Sequence, residues 1–91
     1  MYYVLIYHTA DDFINARAPF REEHLQLVTA AHKRGELVMG GALENPVDTA
    51  LLVFKGSSSA VAESFAQNDP YVLNGAVKSW EVRPWAVKIG G

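Results

Sequence analysis

An apolar run near the start of the chain, YYVLIY at residues 2–7, limits the folds that this sequence can adopt. The run is rich in aromatic and β-branched side chains, and such a run is typical of a strand that is buried on both faces of a sheet. Two further runs of this character follow, ELVMGGAL at residues 36–43 and ALLVF at residues 50–54. We therefore predict a sheet whose first strand lies at the start of the chain.

Two amphipathic segments interrupt the strands and predict helices. Pro19 is a natural first helical residue, and it opens the stretch PFREEHLQLV, residues 19–28, whose acidic residues suit a helix N-terminus. We expect this helix to end near Arg34, before a glycine. A second helix is predicted over residues 59–68, where Asp69-Pro70 stops it because the residue before a proline avoids helical angles.

The remaining segments complete the order βαββαβ. Residues 8–13, HTADDF, are expected to form a polar connection, and residues 71–76, YVLNGA, a turn. Residues 77–89 are the predicted last strand, in which Pro84 requires an edge position or a bulge. This order predicts one α+β domain over residues 1–91, with a ferredoxin-like antiparallel sheet and two helices on one face. Since the strands are apolar on both sides, we expect a second copy to cover the other face in a homodimer.

The composition excludes several classes of protein. Eight Lys and Arg stand against ten Asp and Glu, the net charge is −2, and the basic residues are scattered, so we predict no nucleic-acid binding. The absence of cysteine excludes disulfides, thiolate catalysis and Cys-ligated zinc. No apolar run approaches the roughly 20 residues that span a bilayer, and the N-terminus lacks the basic region of a signal peptide. We therefore expect a cytoplasmic protein without membrane contact.

One residue of the predicted first helix does not fit its surroundings. On a helical wheel of about 100° per residue, His24 falls between Phe20 and Val28 and close to Ala31, inside the apolar stripe. Arg21 lies on the flank of that stripe. Buried polar groups are normally hydrogen-bonded, so an imidazole in this position is expected to have a polar partner.

The predicted topology supplies a partner. In a βαββαβ fold with right-handed crossovers, the two helices run antiparallel on one face, so the N-terminal half of the first lies beside the C-terminal end of the second. Asp69 ends the second helix on its apolar side, and we predict that it meets His24. The carboxylate would accept a hydrogen bond from one ring nitrogen and fix the tautomer, which leaves the other nitrogen free to act as a general acid or base.

Further residues fit a ligand pocket around this pair. Arg21, together with Arg17 from just before the helix, can hold an anionic or enolate oxygen. Gly40 and Gly41 would let a ligand approach the backbone closely. The three histidines of the chain share no metal-ligand spacing, so we predict neither a metal site nor a cofactor.

Simpler interpretations exist for the same residues. His24 can be a half-buried histidine bonded to a backbone carbonyl, Asp69 a helix-stopping residue, the arginines solvated, the glycines a bulge, and Tyr71 a core or interface residue. Three hypotheses therefore stay open: a small enzyme, a ligand-binding or regulatory module that uses the same pocket without chemistry, and a structural domain in which the pair only ties two helices together. The structural hypothesis predicts that no pocket reaches His24.

An ordered set of short motifs resembles the YCII-related family over nearly the whole chain. The matching residues are Arg17, Arg21, His24-Leu25, Gly40-Gly41, Asp69-Pro70-Tyr71 and Pro84-Trp85. The resemblance implies a dimeric α+β barrel, as in relatives of muconolactone isomerase, with an active site on the histidine and aspartate that map to His24 and Asp69. One branch of the family acts in the dehydrochlorination of a hydroxylated chloroaromatic.

The expected function is therefore proton transfer of the lyase or isomerase type, without a cofactor, on a small anionic or phenolic ligand. The non-catalytic ligand-binding module is the alternative. The candidate site then comprises the catalytic pair His24 and Asp69 and, as substrate contacts, Arg17, Arg21, Gly41 and Tyr71.

Overall fold

A computed structural model describes all residues of the chain, 1–91. Four strands form one antiparallel sheet in the order β2-β3-β1-β4; they are β1 (Tyr2–Thr9), β2 (Leu37–Ala42), β3 (Thr49–Lys55) and β4 (Val77–Trp85). The helical segments are α1 (Phe13–Arg17), a 3-10 turn (Ala18–Phe20), α2 (Arg21–Lys33), α3 (Ala60–Asn68) and α4 (Pro70–Leu73). The predicted ferredoxin-like α+β fold is confirmed.

The core lies between the sheet and the helices. Side chains alternate across a strand, so Tyr3, Leu5 and Tyr7 of β1 share one face, and all three are buried. The register of β1 with β3 sets Leu5 opposite Leu52, and Tyr3 opposite Phe54, in the same layer. The helices cover this layer, and Ala31 of α2 is among the fully buried residues that close it.

The opposite face of the sheet is only partly covered. Val4, Ile6 and Leu51 are half-buried on that face, while Met39 and Trp85 are largely exposed. We expected β1 to be buried on both faces. Within one copy of the chain, only the face toward the helices is fully buried. Apolar side chains of this size, aligned on an unpartnered sheet, are typical of an interaction surface.

The first helical segment begins earlier than the sequence predicted. The segment expected to be a polar connection ends at Phe13, which starts α1 and is buried with its ring edge-on to Tyr71, 5.7 Å between centroids. Pro19 then lies in the 3-10 turn before α2, where its missing N–H prevents a continuous α-helical ladder. None of the helices has the length and apolar character that crossing a membrane requires.

The last strand ends earlier than predicted, at Trp85. Trp85 pairs with Tyr2, the first residue of β1, so residues 86–89 have no partner strand and Ile89 is 94% exposed. Pro84 lies in β4, which is an edge strand, as its missing donor requires. The irregular pairing in β4 falls instead opposite His8 and Thr9.

Candidate active site

The junction of α3 and α4 positions the carboxylate of the site. Asp69 has an extended backbone, φ −74° and ψ 122°, because Pro70 disfavours helical angles in the residue before it. This break makes Asp69 the N-cap of α4, where Oδ1 accepts the backbone N–H of Tyr71 at 3.0 Å. The side chain is fully buried, with 0% of it exposed. A buried carboxylate of this kind needs several hydrogen-bond donors.

His24 is one of those donors, which confirms the predicted contact. Its Nδ1 lies 2.8 Å from Oδ1 and 3.0 Å from Oδ2 of Asp69. Because an ionised carboxylate only accepts hydrogen bonds, Nδ1 carries the proton and donates to both oxygens. The neutral imidazole therefore has its lone pair on Nε2.

Tyr7 completes the coordination of the carboxylate, and sequence reasoning missed it. Its hydroxyl donates to Oδ2 of Asp69 at 2.7 Å, and its side chain is almost entirely buried. Burial and the adjacent Asp69 charge raise the pKa of Tyr7 far above its ordinary value, so the phenol stays protonated. A phenol on a buried face needs a polar partner for its hydroxyl, but the continuous apolar run does not show which of its tyrosines faces the helices.

Two aromatic rings fix the plane of the imidazole. The Tyr71 ring stacks on His24, with centroids 3.8 Å apart and planes 8° apart, and Phe65 of α3 meets the imidazole nearly edge-on.

Burial raises the pKa of Tyr71 although the charges of Arg17 and Arg21 act to lower it. Tyr71 is therefore a neutral hydroxyl donor beside two cations.

A cavity of about 240 Å³ lies against the exposed side of this cluster. Every predicted substrate contact lines it, and so does His24, while Asp69 lies behind the imidazole. The remaining lining residues are mainly apolar: Tyr7, Phe13, Leu25, Val28, Gly40, Ala42, Ala50 and Leu52. The structure therefore brings the predicted residues together around one space large enough for a small ring.

His24 presents its second nitrogen to accessible space. Nε2 has no hydrogen-bond partner within the protein, and the single buried side-chain polar atom without a partner is Oγ1 of Thr9. Nε2 therefore retains accessible surface, and the lining of the cavity includes its ring. The arrangement provides a proton acceptor of fixed direction at the wall of an apolar cavity.

The arginines reach the cavity from two helical segments. Arg17 ends α1, with its guanidinium carbon 5.0 Å from the centroid of the Phe13 ring, and Arg21 begins α2. The 3-10 turn between them holds both side chains at the same rim. Two guanidinium groups beside an apolar cavity favour a ligand that carries an anionic oxygen.

A wider depression of about 670 Å³ lies on the outer side of α2 and does not belong to this site. It is lined mostly by exposed residues from Ala18 to Lys33, and neither His24 nor Asp69 contributes to it. We place the site in the smaller cavity because the hydrogen-bonded cluster borders only that one. No group of three or more His, Asp or Glu side chains is arranged to hold a metal ion.

Comparisons with known proteins agree with this architecture. A family model described as the YCII-related domain matches residues 1–86. The solved structure of 5-chloro-2-hydroxyhydroquinone dehydrochlorinase from Burkholderia phenoliruptrix, in complex with 2,5-dihydroxybenzoquinone, aligns with a TM-score of 0.77 at 17% identity, covering 93% of each chain.

Two crystal structures from Agrobacterium tumefaciens align less closely, each with a TM-score of 0.57. Both are structures of the same protein, which one of them describes as a nipsnap family protein with unknown function. The first is 19% identical and covers 91% of this chain and 89% of its own, and the second is 18% identical and covers 90% and 82%. A comparison with curated proteins gave no significant match. At these identities the structural likeness shows the fold alone.

Proposed function

The chain belongs to the YCII-related family, and on that basis we propose that it is a small enzyme that catalyses proton transfer without a cofactor. The central observation is the hydrogen bond of 2.8 Å between Nδ1 of His24 and buried Asp69, which leaves Nε2 free at the wall of a cavity. Nε2 acts as the general base toward an activated C–H or O–H bond of the ligand. Asp69 stabilises the imidazolium that forms.

The arginines and Tyr71 are suited to stabilise the negative charge that such a reaction creates on the ligand. When Nε2 takes a proton from carbon, the electron pair moves onto a conjugated oxygen and gives an enolate or phenolate. Arg17, Arg21 and the hydroxyl of Tyr71 supply donors for that oxygen. In an elimination, the same electron pair then expels a leaving group such as chloride, which departs with the bonding electrons, and the products are the unsaturated ring, chloride and the protonated base.

The ligand that fits is a small ring with at least one acidic oxygen. The cavity is apolar along most of its wall and cationic at its rim, which favours a phenol or enol over an aliphatic polyol. The aligned dehydrochlorinase was solved with a small dihydroxyquinone. The chlorinated compound in the name of that enzyme and its bound quinone together support hydroxylated, halogenated single rings as the first substrates to examine.

The structural hypothesis, in which the pair only ties helices together, predicted no pocket; the cavity beside His24 counts against it. The ligand-binding module remains the alternative function, since it would use the same cavity. Product formation separates the two. We expect released chloride and a dehalogenated product by mass spectrometry when 5-chloro-2-hydroxyhydroquinone or related halogenated phenols are incubated with the protein. Saturable binding with no product from any compound would favour the binding module.

We also propose that two copies pair through their open sheet faces. The half-buried Val4, Ile6 and Leu51, with exposed Met39 and Trp85, form an apolar surface on the face that the helices leave uncovered. A homodimer would bury this surface. The site itself lies on the helix side of the sheet, so His24 and Asp69 come from the same copy.

A further inference from the structure

We propose that Tyr7 is a positioning residue of this site, whose hydroxyl fixes the Asp69 carboxylate and thereby holds His24 as the Nδ1–H tautomer. The role of Tyr7 in catalysis rests on the proposed function, whereas its role in fixing the carboxylate rests on the geometry of the site. It adds to the site a residue from the sheet, whereas the other polar members come from helices and loops.

The geometry of the carboxylate carries the proposal. Oδ1 accepts the backbone N–H of Tyr71 at 3.0 Å, and Oδ2 accepts the hydroxyl of Tyr7 at 2.7 Å. With one donor on each oxygen, the plane of the carboxylate is fixed on both sides. Nδ1 of His24 then lies nearly equidistant from the two oxygens, at 2.8 and 3.0 Å.

The origin of the two donors explains why Tyr7 matters more than a generic buried hydroxyl. The N–H of Tyr71 belongs to the same short segment as Asp69, so it moves with the carboxylate. Tyr7 instead lies on β1, a central strand that is paired on both sides, and it is 1% exposed. Its hydroxyl therefore ties the carboxylate to the rigid part of the fold.

Loss of this hydroxyl would free one carboxylate oxygen. Oδ2 would then be a buried acceptor with only His24 as its donor, and the carboxylate could rotate about its own side-chain torsion. The imidazole would no longer face a fixed acceptor, and its Nε2–H tautomer would become accessible. That tautomer presents a donor to the cavity instead of a lone pair.

The test compares Tyr7→Phe with Tyr3→Phe. Tyr3 lies on the same strand and the same buried face, but its hydroxyl has no bond to Asp69. We expect ¹⁵N NMR of the imidazole to show the Nδ1–H tautomer of neutral His24 in the wild-type protein and in Tyr3→Phe. In Tyr7→Phe we expect a mixture with the Nε2–H tautomer.

Retention of the wild-type tautomer in a folded Tyr7→Phe protein would overturn the proposal. A second measurement needs no substitution: the wild-type protein should show a hydroxyl proton of Tyr7 that is protected from exchange and close to the Nδ1 proton of His24. A rapidly exchanging Tyr7 hydroxyl would also overturn it.

Kinetics extend the test once a substrate is in hand. We expect Tyr7→Phe to lower kcat by about tenfold with KM nearly unchanged, because it removes a hydrogen bond to a charged group without touching the rim of the cavity. Tyr3→Phe should change neither. The NMR result stands without any substrate, so failure of the positioning role is distinguishable from failure of the proposed catalysis.

Discussion

At the scale of single residues, one buried carboxylate organises the site. Asp69 accepts hydrogen bonds from a phenol, a backbone amide and an imidazole, which come from β1, α4 and α2. Each donor satisfies part of a charge that would otherwise be costly to bury. The same bonds that make the buried charge tolerable also orient the nitrogen that we propose as the base.

The protonated state of Tyr7 leads to a prediction for stability at high pH. Its pKa is raised in the fold above the ordinary value of 10.0, so its contribution is complete below pH 10. Above that pH the unfolded chain releases the proton and the folded chain retains it. The free energy of unfolding should then fall by about 1.4 kcal/mol per pH unit through this group.

Urea unfolding across this range, with Tyr7→Phe and Tyr3→Phe as comparisons, measures the effect. Near neutral pH, Tyr7→Phe should be less stable than the wild-type protein by about 1.5–3 kcal/mol, since a hydrogen bond to a charged group is lost. The difference should narrow as the pH rises above 10, while Tyr3→Phe should keep the wild-type slope. A difference that stays constant with pH would contradict the assigned role of Tyr7.

Residue-level reasoning from the sequence found His24 and Asp69 but not Tyr7, and the reason is physical. Helical spacing gives each helix residue a direction, and the βαββαβ topology then sets the two helices side by side, so the pair was predictable. Tyr7 lies in a run where every residue is apolar or aromatic. Such a run does not show which face meets the helices, so nothing distinguished Tyr7 from Tyr2 or Tyr3.

At the scale of elements, short helical segments position the rim of the cavity. The sequence predicted one helix from Pro19, whereas the chain becomes helical at Phe13 and passes through a 3-10 turn. Polar residues surround Phe13, and the segment buries only this one large side chain. Its sequence therefore did not predict a helix. The extra turn carries Arg17 to the cavity, where the helical wheel alone could not place it.

The two glycines of β2 differ in a way that the sequence did not show. Gly40 pairs with Leu52 on the helix side, and a Cβ there would lie 3.3 Å from Cγ of Leu52, while a Cβ on Gly41 would meet nothing within 4 Å. Gly40→Ala should therefore displace Leu52, which lines the cavity. Gly41 also lines the cavity, but a Cβ there would enter open space and displace no side chain.

Calorimetric titration with 2,5-dihydroxybenzoquinone as the probe measures the effect of Gly40→Ala on binding. We expect Gly40→Ala to weaken binding by roughly 1 kcal/mol, or about fivefold, as is typical of mild overpacking. The wild-type protein is the reference for this comparison. Equal affinities of Gly40→Ala and the wild-type protein would show that Leu52 yields without cost or that the ligand lies elsewhere.

At the scale of the whole molecule, the two faces of the sheet differ. One face carries the helices and the site, and the other presents apolar side chains around Ile6 that one copy leaves uncovered. The chain order and its patterning were sufficient to predict this layout. The sequence also led us to expect that the helices leave the second face open, but a continuous apolar run predicts burial without identifying what covers that face.

The proposed homodimer is tested by placing a charge on that face. Ile6→Glu should give a monomer at micromolar concentration by sedimentation, because a carboxylate would be buried without a partner. Thr29→Glu, on the exposed side of α2, is the control and should sediment as the wild-type protein does. A wild-type protein that is monomeric at this concentration would contradict the proposed homodimer.

The central claim, that His24 is the base of a proton-transfer reaction, is tested most directly by comparing turnover in two histidine variants. His24→Gln removes the ring that borders the cavity, and His32→Gln changes a histidine on the same helix that contacts the carbonyl of Leu37 away from the site. On a compound that the wild-type protein converts, kcat of His24→Gln should fall by about 100-fold or more, while His32→Gln should keep the wild-type value. Turnover by folded His24→Gln at the wild-type rate would contradict the claim.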